Sequence, residues 1–471
     1  MPATRPHSLR KIPAVEILLR DFAKRHPQHG IPRQVLANMA RSTADEIRNE
    51  LKNGALQAAG TEALQDVILQ RLQSRAQTAA RPHYCRAINA TGIILHTGLG
   101  RAPLPETAIR QIHEELRGYS RLQQDPGSGK RSRRDEGIEN LLRQLTGAEA
   151  ATVVNNNAAA TLLVLSALAK DREVIVSRGQ LIEIGGEFRL PDVMAASGAR
   201  LVEVGTTNRT HPRDYEQAIT ASTAAIMRVH PSNFRISGFT AETPSAELVR
   251  LAHARGILMI DDVGAGALLD FSRFGFAREP TLMESVRSGA DVILSSADKL
   301  IGGPQGGLIL GKANLLAAIR KHPLARILRV GKLTLAALEA TLRLFLDEET
   351  AFQTPTLRLL RRSLPEISSL AERIVQAVHK ALGKKTLSLQ DGFSQMGGGS
   401  LPEQNLPTRL VAVHSTRLGP DEIAARLRAG NPPLFARIHE NQVLLDPRTL
   451  LDGDEPEVVA ALIAALQPAH A

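Results

Sequence analysis

The sequence predicts an α/β fold built on a mostly parallel sheet, with a helical module in front of it and an α+β segment behind it. Three observations carry that prediction. The first eighty or so residues place apolar side chains at helical spacing, interrupted only by Pro and Gly. From Ile88 onward, short β-branched runs alternate with helical stretches, which implies crossover connections and a sheet covered on both faces. Beyond Val330 the pattern becomes helix-rich and then turns to a few strands near the C-terminus.

Taken in order, helical periodicity covers Leu9 to His26, Pro32 to Asn53 and Glu62 to Gln77, with breaks at Pro27 to Pro32 and Asn53-Gly54. This module holds 13 Lys/Arg against 7 Asp/Glu from Met1 to Cys85, a surplus of 6 that favours an RNA-binding role over a packing element. Seven strands follow, at Ala151 to Val154, Val174 to Ser177, Arg200 to Val204, Ala225 to His230, Ile257 to Asp261, Val292 to Ser295 and Gly307 to Leu310. Helices at Ala158 to Leu168 and Ser245 to Arg255 lie between them. After helices at Leu333 to Phe345 and Ile367 to Ala381, strands are expected at Thr408 to His414, Leu434 to Glu440 and Gln442 to Leu445. Gly397-Gly398-Gly399 is a turn or loop near the mouth of the site. The expected domains are residues 1–80, helical and, from its charge, RNA-binding; 81–330, the large α/β domain; and 331–471, a small α+β domain.

Composition narrows the class. The 471 residues are 43% hydrophobic and 23% charged, as in an ordinary globular protein. The single cysteine, Cys85, excludes an intramolecular disulfide and a thiolate metal cage. No window has the apolar length of a membrane span, and the basic start at Met1 to Pro13 lacks the apolar stretch of a secretory signal. A cytoplasmic, membrane-free protein is expected. The net charge of +10 biases it towards polyanions, while 3% aromatics and no Trp point to phosphate and shape contacts rather than base stacking.

Three segments carry the chemistry. Val292-Ile293-Leu294-Ser295-Ser296 reads as a buried strand with Lys299 just beyond it. Burial lowers a lysine's pKa and prepares the amine for covalent chemistry with a carbonyl. Ser296 and the glycines Gly302, Gly303, Gly306 and Gly307 can approach a phosphate. Alone, the segment reads equally as a glycine-rich turn beside a surface lysine. In Ile257-Leu258-Met259-Ile260-Asp261-Asp262, an apolar strand ends in two acids, where open α/β folds bind ligands. One acid can hold a pyridine nitrogen protonated, and Asp262 has the better spacing. A shared metal is disfavoured because neighbours on a strand face opposite sides. Val153-Val154-Asn155-Asn156-Asn157-Ala158 runs from strand into helix, an anion site or a plain N-cap. In this order, with Lys299 last, the three point to pyridoxal phosphate bound covalently at Lys299.

The combination resembles the bacterial selenocysteine synthase (L-seryl-tRNA(Sec) selenium transferase) family. The matching stretches include Ile88-Asn89-Ala90-Thr91-Gly92, Leu95-His96-Thr97-Gly98-Leu99-Gly100-Arg101-Ala102-Pro103-Leu104, Glu183-Ile184-Gly185-Gly186, Val202 to Thr210, Val229 to Asn233, Asp298 to Gln305 and Lys332 to Leu342. They span nearly the whole chain. The resemblance implies fold type I, the aspartate-aminotransferase-like class of PLP-dependent transferases, assembled as a homo-oligomeric ring of dimers such as a homodecamer. It implies that Lys299 holds the cofactor, that Asp262 contacts its ring nitrogen, that Asn156, Asn157, Ser296, Gly302 and Gly303 surround its phosphate, and that Asn233 lies near the ring. It further implies that Arg101, Arg326 and Arg329 bind the phosphate of selenophosphate. The implied reaction removes the β-hydroxyl of seryl-tRNA(Sec) and adds selenium, giving selenocysteinyl-tRNA(Sec).

Some positions depart from the family. Asn is usual where Gly98 stands, Gly at Ala297 and Asp at Gly331. The family's Ser-Arg-His-x-His stretch reads Arg133-Arg134-Asp135-Glu136-Gly137, and Arg121 to Pro126 lacks the family's tyrosine and acids. This loop bears on donor or substrate handling, and the run Lys130 to Arg134 reads as a solvated loop in preference to a contact with tRNA. Two rivals stand beside the leading reading: a related PLP-dependent lyase or transferase on a free small substrate, and a catalytically decayed RNA-binding homologue.

Overall fold

The computed structural model describes residues 12–27, 30–56, 60–80, 82–184, 188–383, 385–402 and 404–467. The Leu9 start of the first expected helix and the Gly185-Gly186 pair lie outside them. The chain forms two compact units, Met1–Arg86 and Ala87–Ala471.

In the first unit, helices α1 (Val15–Arg25), α2 (Arg33–Lys52) and α3 (Thr61–Ala80) pack around Leu18, Phe22, Leu36, Ile47, Ile68 and Leu72. These positions recur every three or four residues, so each helix presents one apolar stripe to the common core. On the outside, six carboxylates are engaged by arginines: Asp21, Asp66, Glu16, Asp45, Glu50 and Glu46 pair with Arg20, Arg25, Arg33, Arg48, Arg71 and Arg75. Among the described residues of these helices, Lys24, Arg41 and Lys52 pair with no carboxylate.

The second unit contains helices α4 (Glu106–Glu115), α5 (Glu136–Thr146) and α6 (Asn157–Leu168) and a seven-stranded sheet. Its first strands are β1 (Ile88–Ala90), β2 (Ala150–Val154) and β3 (Glu173–Ser177). A small ribbon of β4 (Glu183–Ile184) and β5 (Phe188–Arg189) follows, then β6 (Arg200–Val204), β7 (Thr223–Val229), β8 (Leu258–Gly264), β9 (Val292–Ser296) and β10 (Gly307–Gly311). The main sheet runs in the order β2-β10-β9-β8-β7-β3-β6. Only β10 runs against its neighbours; all the other strands share one direction. The expected mostly parallel sheet is the one observed. β2, β9 and β10 are buried along their whole length, the condition under which strands read as unbroken apolar runs.

Helix α6 starts where β2 ends. The Asn156 side chain accepts from Ala159 N at 2.8 Å and caps it, a contact worth about 1 kcal/mol. Leu163, Val164 and Leu165 are fully buried, so truncating one of them costs about 2–5 kcal/mol. β10 passes so close to this junction that a Cβ on Gly307 would sit 2.0 Å from Asn156 O.

A second sheet, in the order β1-β13-β14-β12-β11, is completed by β11 (Leu387–Gln395), β12 (Asn405–Val413), β13 (Leu434–His439) and β14 (Gln442–Leu445). The three strands expected near the C-terminus are present. β1 and β11 were not expected. β1 joins by pairing parallel to β13 across most of the chain, and β11 forms a nine-residue antiparallel pair with β12.

Candidate active site

Because the strands share one direction, the carboxyl ends of β2, β7, β8 and β9 open on one edge of the sheet, the usual ligand edge of such folds. Lys299 follows β9 and is 5% exposed. Its turn is closed by Gly302 N donating to Lys299 O and Gly303 N donating to Ala297 O, both at 2.9 Å. Gly302 has φ +71, and a Cβ there would press on Thr356. Both glycine amides are thus spent on the turn. These glycines shape the backbone that presents Lys299. Ser296 ends β9, buried and paired with Gly307.

Burial holds the Lys299 amine below its usual range, and the Arg101 cation adds to this; Asp262, Asp298 and Glu279 oppose it. The Lys299 Nζ donates to Gly399 O at 3.3 Å. Gly397, Gly398 and Gly399 all have positive φ (71, 61 and 69). A Cβ at Gly399 would meet Asn233 Cβ at 3.3 Å and Lys299 Nζ at 3.5 Å. The glycine run forms a wall of the site, at the mouth where the sequence places it.

Asp262 lies near the end of β8, 5% exposed. It accepts from Asn157 Nδ2 at 2.8 Å, from Gly264 N at 3.0 Å and, on its other oxygen, from Thr161 Oγ1 at 3.4 Å. Burial pushes its carboxyl up, against the pull of these donors and of Lys299. Asp261, one residue earlier, pairs with Arg228 at 2.9 Å and accepts from Ser245 at 3.4 Å. The two acids have no partner in common.

The asparagine triplet divides its work. Asn155 holds the chain on its far side: with its amide nitrogen turned that way it donates to Leu328 O at 2.6 Å and Arg329 O at 3.2 Å. Its backbone N–H also reaches Leu328 O at 3.0 Å. Asn156 is the cap, and Asn157 is the arm that reaches Asp262. The Oδ1 of Asn157 is buried without a partner, as is that of Asn233, whose Nδ2 donates to Glu183 O at 3.0 Å.

Arg101 is a non-glycine residue with φ 62, and its Nη1 donates to Asp298 Oδ2 at 2.8 Å. Asp298 precedes Lys299, so this ion pair ties Arg101 to the lysine turn. Arg326, on the short helix Pro323–Ile327, and Arg329 are exposed and make no ion pair or side-chain hydrogen bond among the described residues. No such contact joins them to Arg101 either. Sequence reasoning missed Glu279, which is 3% exposed and accepts from Leu401 N at 3.2 Å while facing His230 Nε2 at 3.0 Å. Arg134, which the sequence reads as part of a solvated loop, donates to Val330 O at 3.1 Å, one residue past Arg329. Neither had a periodic or spacing signal, because each is placed by chain segments distant in sequence.

A family model for L-seryl-tRNA selenium transferase matches residues 87–451. The chain is 46% identical over 459 residues to the L-seryl-tRNA(Sec) selenium transferase of Desulfomicrobium baculatum, covering 97% of this chain and 98% of that protein. It is 47% identical over 468 residues to the enzyme of the same name from Solidesulfovibrio magneticus, covering 98% of each. Among solved structures, D-glucosaminate-6-phosphate ammonia-lyase aligns with a TM-score of 0.57 at 21% identity, covering 83% of this chain and 97% of that one.

Proposed function

Because the chain belongs to the L-seryl-tRNA selenium transferase family, we propose that it converts seryl-tRNA(Sec) to selenocysteinyl-tRNA(Sec) with pyridoxal phosphate as cofactor and selenophosphate as donor. The observation that carries this reading is Lys299, a buried amine held below its usual pKa and flanked by the buried Asp262 carboxyl. The residues present fit the cofactor. Two buried amide oxygens, on Asn157 and Asn233, lack partners, and buried polar atoms are otherwise almost always satisfied. Asp262, Asn156, Asn157, Asn233, Ser296 and the Gly302-Gly303 turn are the groups that would hold it, with Lys299 as the covalent attachment.

Pyridoxal phosphate, when bound, supplies an electron sink that acidifies the seryl α-carbon and lets the β-hydroxyl depart. The chain supplies the rest. Lys299 Nζ, whose hold on its proton burial weakens, accepts the α-proton. Asp262, whose proton affinity burial raises, is matched to sharing one proton with a pyridine nitrogen. Asn157 Nδ2 fixes the orientation of that carboxylate. Arg101, Arg326 and Arg329 bind the phosphate oxygens of the donor, for which guanidinium forks are suited. The β-carbon loses its C–O bond, the hydroxyl departing with a proton as water, and gains a C–Se bond as the α-carbon regains a proton from Lys299 Nζ; a second water breaks the Se–P bond and inorganic phosphate leaves.

The proposal includes three working parts, residues 1–80 gripping tRNA, 81–330 carrying the cofactor and 331–471 closing the site. The uncompensated charge of the helical unit supports the first. A cytoplasmic ring of dimers, such as a homodecamer, is part of the same reading. No helix among the described residues is long and apolar enough to cross a membrane.

The test is turnover of seryl-tRNA(Sec) with selenophosphate by the purified protein, alongside its absorbance before and after borohydride. Selenocysteinyl-tRNA(Sec) formation, and a borohydride-sensitive band lost in Lys299→Ala, are expected. Turnover of free serine with none of the tRNA ester would sink the reading in favour of a lyase on a small substrate.

A further inference from the structure

Arg133 and Arg134 are neighbours in a basic loop, yet they end in different electrostatic settings. Arg133 pairs with Glu139, a carboxylate it shares with Arg320. Arg134 turns the other way, donating to Val330 O at 3.1 Å and, weakly, to Gln123 Oε1 at 3.5 Å. Both acceptors are uncharged, and no carboxylate lies within ion-pair distance of Arg134 among the described residues. Val330 immediately follows Arg329, so this hydrogen bond brings the Arg134 guanidinium to the segment that carries Arg326 and Arg329. Burial, followed by the charges of Arg329, Arg326 and Arg131, lowers its hold on its proton.

The loop that delivers it is built rather than free. Asp125 accepts from Ser128 N at 2.7 Å and Ser128 Oγ at 2.6 Å. Asp125 N donates to Lys130 O at 2.9 Å and Ser132 N to Gln123 O at 3.1 Å. Asp135 opposes these like charges without forming an ion pair to Arg134, and the energy they still cost is recovered when an anion binds. Asn155 ties the same segment to the triplet whose third member touches Asp262, so the cluster is one short stretch of chain from the reaction centre.

We propose that Arg134 is a fourth guanidinium of the donor site, completing with Arg326 and Arg329 a pocket for a phosphate-type oxyanion. This rests on the donor reading above and adds to it a residue from the loop whose sequence departs from the family pattern. The pocket takes the phosphate end of the selenium donor and, after transfer, the inorganic phosphate released.

The experiment uses the full chain with its cofactor and compares Arg134→Gln and Arg134→Lys with the parent. It reads KM for selenophosphate, inhibition by inorganic phosphate, kcat and affinity for seryl-tRNA(Sec). For Arg134→Gln, a rise of tenfold or more in donor KM and in the inhibition constant of phosphate is expected, with kcat and tRNA affinity changed less than threefold. Arg134→Lys should recover part of the loss, which a merely structural role would not predict, and the cofactor absorbance band reports folding in both. Unchanged donor KM and phosphate inhibition would overturn the proposal, and so would a loss confined to tRNA affinity, which would make Arg134 a contact to the RNA backbone. Arg326→Gln and Arg329→Gln in parallel separate the two levels. If they too leave phosphate inhibition unchanged, the donor reading itself fails; if only Arg134 is silent, the extension alone does.

Discussion

The Asn157 side chain donates to the Asp262 carboxylate at 2.8 Å, joining the first turn of α6 to the end of β8 across 105 residues of sequence. The helix that follows one strand thereby orients the acid that ends another. Asn157→Ala should leave Asp262 short of one buried donor, at a cost of about 1–3 kcal/mol. Pyridoxal phosphate affinity, measured by absorbance titration, is expected to fall about tenfold, 1.4 kcal/mol being one factor of ten. Unchanged affinity would mean that Gly264 N and Thr161 Oγ1 orient the carboxylate without it.

Lys299 and Asp262 are both strained towards neutrality in the cofactor-free protein, and their effects on stability have opposite pH signs. The Lys299 pKa is lowered from 10.5, so between its folded value and 10.5 the unfolded chain binds the extra proton and stability rises with pH. The Asp262 pKa is raised from 3.8, so from 3.8 up through its folded value the native state binds the extra proton and stability falls with pH. Lys299→Met and Asp262→Asn should each raise the melting temperature of the cofactor-free protein at neutral pH while abolishing turnover. A lower melting temperature in both would show that the two groups stabilise each other more than burial penalises them.

Arg101 pushes Lys299 towards its neutral form through its positive charge. In Arg101→Gln that push is gone, the lysine holds its proton more tightly, and the acid limb of the kcat profile should move to higher pH. Donor KM should rise in the same variant if Arg101 also meets the donor. A profile unmoved in pH would separate Arg101 from the lysine.

Gly307→Ala would place a methyl group 2.0 Å from Asn156 O and 2.9 Å from Asn157 N, against backbone that has no rotamer to yield. A destabilisation at or above the roughly 3 kcal/mol reached by ordinary overpacking is expected. Thermal melting and soluble yield check it. By contrast, Gly98→Asn sets its Cβ 3.3 Å from the His96 ring, a contact that a small side-chain shift relieves, and should fold normally.

Much of this was readable from the chain because it depends on local pattern. All seven strands of the main sheet were expected, since strands covered on both faces need continuous apolar runs. Lys299, Asp262 and Asn157 stood out as polar residues at the ends of such runs, where burial and function compete. β11 was not legible: Ser388, Gln390, Asp391 and Gly392 break the apolar pattern, and it is a strand because β12 supplies its hydrogen-bond partner. β1 is only three residues long and owes its pairing to β13, more than 300 residues away.

The sequence by itself thus determined the strand-and-helix order and marked Lys299, Asp262 and Asn157 as polar residues at the ends of apolar runs, because burial and capping leave their mark on neighbouring residues. Only the tertiary structure decided how those residues divide the work. It assigned Asp262 to Asn157 and Asp261 to Arg228, spent the Gly302 and Gly303 amides on a turn, and paired Arg133 while leaving Arg134 beside Arg326 and Arg329. Each of these outcomes depends on which distant segment arrives with a donor, an acceptor or a charge. Long-range Coulomb and hydrogen-bond partners are set by packing, and spacing along the chain does not encode them.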